Sequence, residues 1–249
     1  MPESSAGADA DWKYHTDQVG RPPTRGELAF YRVFRNLLVW FCQLFWRLEV
    51  TGREHVPAGP FVLCGVHRSN VDSPVVAAVT KRRMRFMGKH TMWKYRLPGR
   101  FFTAMGGFGV NRETADREAL KTCIAVLEGG EPLVMFPEGT RRSGPVVEDL
   151  YEGPAFVAAR ARVPILPVGI GGSEDAMPRG AKYLRPVKIS LVVGPPIPAP
   201  AGPEGKRPAR RQIHETTEQL RVTLQELFDD AQKRIGKPNR YQPGSLAER

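Results

Sequence analysis

His67 and Asp72 are separated by four residues in the run V-H-R-S-N-V-D-S-P, directly after an apolar segment, 61–66, that reads as a buried strand. Neutral histidine accepts a proton on one ring nitrogen while the other donates, and a carboxylate on the donor side fixes that tautomer and stabilises the imidazolium. No serine or cysteine nucleophile is visibly paired with the two. A base without its own nucleophile implies an enzyme that activates a hydroxyl brought by the substrate, a step in which general base catalysis is worth about 10²–10⁴-fold. The same two residues also fit a helix-capping aspartate and a polar loop histidine. Their spacing alone does not decide between these readings.

Three further runs place small or polar residues beside apolar strands: G-G-F-G-V-N-R at 106–112, F-P-E-G-T-R-R-S-G at 136–144 and V-P-I-L-P-V at 163–168. In open α/β sheets sites collect at the carboxyl ends of strands, so all four runs are expected to converge on one surface. Within 136–144, Gly139 lets the backbone approach a ligand closely. Thr140 adds a hydroxyl, and Arg141 offers a fork matched to phosphate oxygens. Lys89 and Arg112 could complete a cationic pocket. The competing reading of 138–141 is a tight turn with an exposed ion pair. No metal site is expected, because His15, His55, His90 and His214 lack partner ligands at useful spacing. There is no Walker loop, and Gly106, Gly107 and Gly109 do not form a dinucleotide fingerprint.

These runs need a scaffold. Strand-like segments at 48–51, 61–66, 84–88, 108–111, 132–136, 164–169 and 187–193 alternate with helical ones at 73–81, 93–105, 114–128 and 154–162. Pro74 suits a first helical position with Asp72 or Ser73 as its cap. Ala119, Leu120, Cys123, Ile124 and Leu127 follow helical spacing until Gly129 and Gly130 stop the helix. The alternation argues an α/β fold with a mixed, mostly parallel sheet covered by helices. A proline-rich connector at 194–203 leads to an amphipathic helix at 210–235. Its apolar face (Ile213, Thr217, Leu220, Leu224, Leu227, Phe228, Ala231) is expected to dock on the domain.

Ahead of the sheet, 28–47 reads as a helix with seven aromatics: Phe30, Tyr31, Phe34, Trp40, Phe41, Phe45 and Trp46. Its uncharged stretch, 36–46, is well short of the roughly 20 residues of a spanning helix. Trp and Tyr favour the bilayer interface and Arg can snorkel to headgroups. Two readings stand: an amphipathic, membrane-anchoring helix half-sunk in the interface, or a core helix. The domain organisation that follows is a flexible N-terminus at 1–25, the membrane-associated helix at 26–50, the catalytic domain at 51–198, connector and C-terminal helix at 199–236, and a flexible tail at 237–249.

Composition agrees with one sizeable core: the chain has 249 residues, 41% of them hydrophobic. Its 37 basic against 26 acidic residues give a formal net charge of +11, which favours anionic partners such as phosphate-bearing ligands or an anionic membrane surface. No recognition-helix, zinc-finger or RRM signature supports nucleic acid. Cys42, Cys64 and Cys123 sit in apolar segments without C-x-x-C spacing, and read as free thiols in a reducing compartment. The acidic, polar start of the chain does not read as a secretory signal.

Taken in order, the runs resemble the glycerolipid acyltransferase family, specifically its bacterial 1-acylglycerol-3-phosphate O-acyltransferases. The likeness covers about 52–198 and rests on the His-x4-Asp block at His67 and Asp72, 107–112, the Phe-Pro-Glu-Gly-Thr-Arg block at 136–141, and the Val-Pro-Ile-x-Pro block at 163–167. G-R-E-H-V-P at 52–57 and F-M-G-K at 86–89 also look like family segments. The resemblance implies that His67 deprotonates the acceptor hydroxyl while Asp72 orients it. It implies that Glu138, Gly139, Thr140 and Arg141 bind the glycerol phosphate with help from Lys89. It implies acyl-CoA or acyl carrier protein as donor, no cofactor, a lysophospholipid acceptor, and a peripheral or monotopic position on the cytoplasmic face of the membrane. Val66 stands where many members have Asn, and Arg142 separates Arg141 from Ser143. Both departures bear on acceptor choice, so another lyso-lipid, a glycolipid or glycerol 3-phosphate remains open as acceptor. A non-catalytic basic membrane-surface adaptor is the alternative of another class.

Overall fold

The computed structural model describes residues 23–110, 116–202 and 207–241. Most of the expected loose N-terminus and most of the tail therefore lie outside the described residues, as does Arg112. Short apolar runs bounded by Gly and Pro become strands: β1 (Glu49–Thr51), β2 (Val62–Gly65), β3 (Arg85–Lys89), β4 (Gly107–Val110), β5 (Leu133–Met135), β6 (Ile165–Gly171) and β7 (Ser190–Val193). They form one sheet in the order β1-β7-β6-β2-β5-β3-β4. The stretch from β6 to β4 is parallel throughout. At the other edge β7 runs antiparallel to β6, with β1 parallel to β7. The sheet is mixed and mostly parallel, as expected. β2, β5 and β6 are buried along their whole length, the pattern of parallel strands covered on both faces.

The helices are α1 (Arg25–Phe45), α2 (Asp72–Val76), α3 (Arg96–Ala104), α4 (Asp116–Glu128), α5 (Gly153–Ala161), α6 (Ser173–Ala176) and α7 (Arg210–Arg234), with 3₁₀ turns at Arg53–His55 and His90–Trp93. The helix expected over 73–81 is cut to the five residues of α2. After it the chain tightens into three-residue turns, Ala78 N–H to Val75 and Val79 N–H to Val76. The next carbonyls, of Ala77 and Ala78, accept from Arg35 Nε and Arg53 Nη2, both at 3.0 Å, rather than from later helical amides. Pro74 is the third helical residue, not the first; its missing N–H still falls among the unbonded amides of the first turn. The segment 93–105 splits in two, because Tyr95 takes an extended conformation before α3.

The C-terminal helix α7 docks as expected. Ile213, Thr217, Leu220, Leu224, Phe228 and Ala231 are all buried. Two glycines of β6 make the approach possible: a Cβ on Gly169 would lie 2.2 Å from the Leu227 carbonyl oxygen, and one on Gly171 2.5 Å from that of Ala231.

The first helix α1 opens with a capping box, Glu27 N–H to Thr24 Oγ1 at 3.2 Å and Thr24 N–H to Glu27 Oε2 at 2.7 Å. Tyr31, Arg35, Val39 and Cys42 form its buried stripe. On the other side Phe30, Val33, Phe34, Leu37, Trp40, Phe41 and Leu44 are exposed. The two readings of this helix are therefore not exclusive: one face belongs to the core, and the opposite face is apolar and bare. No helix among the described residues is long and apolar enough to cross a membrane.

Candidate active site

Adjacent, parallel strands β2 and β5 pair Cys64 with Met135. Their carboxyl ends therefore deliver the segments around His67 and Glu138 side by side. The His67 side chain is 19% exposed. Its ring stacks on Phe136, the centroids 4.2 Å apart and the planes at 18°. His67 Nδ1 lies 2.9 Å from Asp72 Oδ2. That oxygen also accepts the main-chain N–H groups of Arg68 and Ser69, each at 2.7 Å. The two amides can only donate, so Oδ2 is an acceptor and Nδ1 carries the hydrogen. This leaves the Nε2 lone pair as the base, with no protein partner among the described residues. Asp72 is fully buried and does not cap α2; Val71 stands at the N-cap position without a side-chain bond. The carboxylate turns back instead and folds the 67–69 loop around the histidine.

Glu138 is not where the sequence reading puts it. It is 1% exposed, and both of its oxygens accept from Arg68 Nη1, at 2.7 and 2.6 Å. Oε1 also accepts the His67 main-chain N–H at 2.8 Å. It therefore lies beneath the site and positions it, rather than facing a ligand, and the ion pair of this turn is buried rather than exposed. Arg68 is the residue that sequence reasoning missed. Its signal was a cation within three residues of the end of a buried strand, but its partner depends on β5 lying next to β2. From the same centre Arg68 donates to the carbonyls of Gly144 (Nε, 3.2 Å) and Val146 (Nη2, 2.9 Å) and stacks over Phe228 of α7. Gln225, also on α7, accepts from Val147 N–H at 2.7 Å and donates to Pro145 O at 3.0 Å. The 142–147 loop is thus fastened from both sides, and Arg142 N–H joins it to His67 O at 2.8 Å.

Above this base the turn at 136–139 closes through Gly139 N–H to Phe136 O at 3.0 Å. Gly139 has φ +68°, and a Cβ there would sit 2.5 Å from the Tyr151 ring, so the position needs glycine. Thr140 is exposed and Arg141 half-buried; neither side chain has a protein partner among the described residues. Arg142, by contrast, pairs with Glu148 at 3.2 Å. Lys89 ends β3, opposite Val110 of β4, at the same end of the sheet; its side chain lies outside the described residues.

The run at 163–168 lies alongside the whole of β2, Ile165 pairing with Val62 and Val168 with Gly65, and β6 continues to Gly171, so the run occupies the first part of its strand rather than its end. The glycines of 106–112 serve packing: a Cβ on Gly106 would meet Met84 O at 2.2 Å.

Among the described residues no thiol or hydroxyl forms a hydrogen bond with His67 Nε2. Cys64 is fully buried in β2 and burial pushes its thiol far up. Burial likewise pushes Cys123 up to about 12 and Cys42 up to about 11. Ser69 Oγ donates to Met177 O at 2.8 Å.

Residues 47–171 match the family model described as Acyltransferase. The chain is 26% identical over 199 residues to the 1-acyl-sn-glycerol-3-phosphate acyltransferase of Bacillus subtilis, covering 79% of this chain and 96% of that protein. It is 28% identical over 168 residues to a 1-acyl-sn-glycerol-3-phosphate acyltransferase of Chlamydomonas reinhardtii, covering 64% of this chain and 50% of that one. The crystal structure of the 1-acyl-sn-glycerophosphate acyltransferase of Thermotoga maritima superposes with a TM-score of 0.65 at 22% identity, over 86% of this chain and 87% of that one.

The buried pair makes a stability test. Glu138→Gln strands the Arg68 charge in the interior and is expected to cost about 3–5 kcal/mol in urea denaturation. A loss below about 1 kcal/mol, the range of an exposed pair, would contradict the assigned burial.

Proposed function

The chain belongs to the acyltransferase family, and on that premise we propose that it moves a fatty acyl group from a thioester to the free hydroxyl of 1-acylglycerol 3-phosphate, forming phosphatidic acid. The observation that carries this reading is the His67–Asp72 pair with Nε2 unpartnered, its ring stacked on Phe136 at the start of the turn that leads to Thr140 and Arg141, whose side chains have no protein partner among the described residues. Nε2 takes the proton of the acceptor hydroxyl as its oxygen bonds to the thioester carbonyl carbon. Asp72 holds the resulting imidazolium through Nδ1–H. The tetrahedral intermediate collapses, the C–S bond breaks, and the imidazolium returns the proton to the departing thiolate. Acyl-CoA and acyl carrier protein both supply such a thioester. No acyl-enzyme is required, in keeping with three buried cysteines whose thiols burial holds neutral.

Arg141 would bind the acceptor phosphate by its guanidinium fork, with Thr140 adding a hydroxyl donor. Lys89 and Arg112 are assigned to the same anion from their sequence positions. Gly139 would bring the turn close to it. Glu138 is left out of direct contact because Arg68 and His67 N–H occupy it.

The bare face of α1 supports association with the cytoplasmic face of a membrane. Leu37, Trp40 and Leu44 are each more than half exposed. An apolar side chain of this size is worth roughly 1.5–3 kcal/mol when fully buried, so three of them suffice for reversible attachment.

Acyl transfer from acyl-CoA or acyl carrier protein to lysophosphatidic acid should be measurable with the wild type, and His67→Ala should lower kcat by about 10²–10⁴-fold. An unchanged kcat would remove His67 from the mechanism. In the same assay Arg141→Ala should raise KM for lysophosphatidic acid and leave an acceptor without a phosphate monoester unaffected; equal effects on both would point to another acceptor class. The triple change Leu37→Ser, Trp40→Ser, Leu44→Ser should release the protein from vesicles with its thermal unfolding unchanged, and undiminished binding would contradict the role given to α1.

A further inference from the structure

A groove of about 340 Å³ lies between α1 and the turns that follow α2 and β1, lined by Arg35, Arg53, Lys81 and Trp40 among others. It is not part of the site above. Arg53 follows β1, which runs with β7 against β6, so it sits toward the amino ends of β2 and β6. His67 stands at the carboxyl end of β2.

Three cations meet in this groove, and among the described residues no carboxylate lines it. Arg35 is 6% exposed, yet among the described residues its only hydrogen-bond partners are Ala77 O and the Asn36 side-chain oxygen, each at 3.0 Å. Arg53 bonds Ala78 O at 3.0 Å, and Lys81 is exposed without an ion pair. Burial disfavours the Arg35 cation, partly offset by Tyr31 and reinforced by the charge of Arg53. Structures rarely bury an arginine without an anion nearby. The apolar side of the groove is also unusual for a soluble-ligand site. Trp40, 62% exposed, forms one wall and continues into Leu37 and Leu44, at 56% and 68%.

We propose that this groove is a second ligand site, which takes the phosphate of an anionic membrane lipid while the lipid's chains lie along the ridge of Leu37, Trp40 and Leu44. The proposal rests on the reading that the outer face of α1 meets a bilayer. Guanidinium forks match phosphate oxygens, and the single-sign lining favours an anion over a zwitterionic headgroup. The groove then fixes how the protein sits on an anionic bilayer, by holding α1 at headgroup level.

The test uses the full chain and two vesicle types, pure phosphatidylcholine and phosphatidylcholine with phosphatidylglycerol, at low salt where surface charges are least screened. The variant is Arg53→Gln/Lys81→Gln; Arg210→Gln/Lys233→Gln, at exposed positions of α7, is its charge-matched control. The groove variant should lose about tenfold or more of the wild type's preference for anionic vesicles while binding neutral ones equally well. The control should keep that preference. A preference undiminished in the groove variant, or lost equally in the control, would overturn the proposal. Wild-type protein that ignores neutral vesicles but keeps an anionic preference that the groove variant loses would uphold the phosphate assignment of the groove and overturn the placement of the lipid chains along α1. A third arm adds inorganic phosphate without vesicles: a rise in Tm that the groove variant abolishes would assign the groove to a soluble phosphate compound and overturn the lipid assignment.

Discussion

The ion pair of Arg68 and Glu138 lies under the whole site. Both side chains are fully enclosed, at 1% and 0% exposure, and two charges removed from water cost several kcal/mol each unless geometry and further hydrogen bonds compensate. Here they do. Arg68 spends its remaining donors on the Gly144 and Val146 carbonyls and its face on Phe228, while Glu138 takes the His67 amide. One interaction therefore ties the ends of two central strands, the loop beyond the second, and the C-terminal helix. The catalytic histidine proposed here borrows its rigidity from that knot. Its ring is set by Phe136 on one face and by Asp72 at Nδ1, and its main chain by Glu138 on one side and Arg142 on the other.

Placement at the carboxyl ends of β2 and β5 separates two tasks. Arg68 and Glu138 beneath the histidine are buried and paired with each other, whereas the side chains of Thr140 and Arg141 have no protein partners among the described residues. A site divided in this way can fix a base while leaving polar side chains free for a ligand. At the other end of the sheet the same economy recurs in a different form. The cations of Arg35 and Arg53 close the open carbonyls of a helix that ends early, and in doing so gather positive charge beside the bare face of α1.

Much of this was legible in the sequence. The strands fell within a few residues of their places because their apolar runs are short and bounded by Gly and Pro. The docking face of α7 was readable from its helical spacing. His67 and Asp72 stood out because their types and separation suit a base and its orienting carboxylate. What the sequence withheld depends on strand order. Glu138 reads as a ligand contact next to Thr140 and Arg141, and only the adjacency of β2 and β5 turns it inward to Arg68. The run at 163–168 is expected from its sequence to join the other three at one surface, yet it occupies the first part of β6, which runs on to Gly171. The two-faced character of α1 was likewise hidden, since an apolar residue on a helix gives no sign of which side the sheet will cover.

The central claim is that the acceptor hydroxyl attacks the thioester directly, with His67 as its base and no nucleophile from the protein. Intact-protein mass measurement during turnover tests it most directly. With a labelled acyl thioester alone the protein mass should stay unchanged, and labelled phosphatidic acid should appear only when lysophosphatidic acid is added. A protein species heavier by one acyl group, formed from the donor alone and discharged on adding the acceptor, would contradict the account.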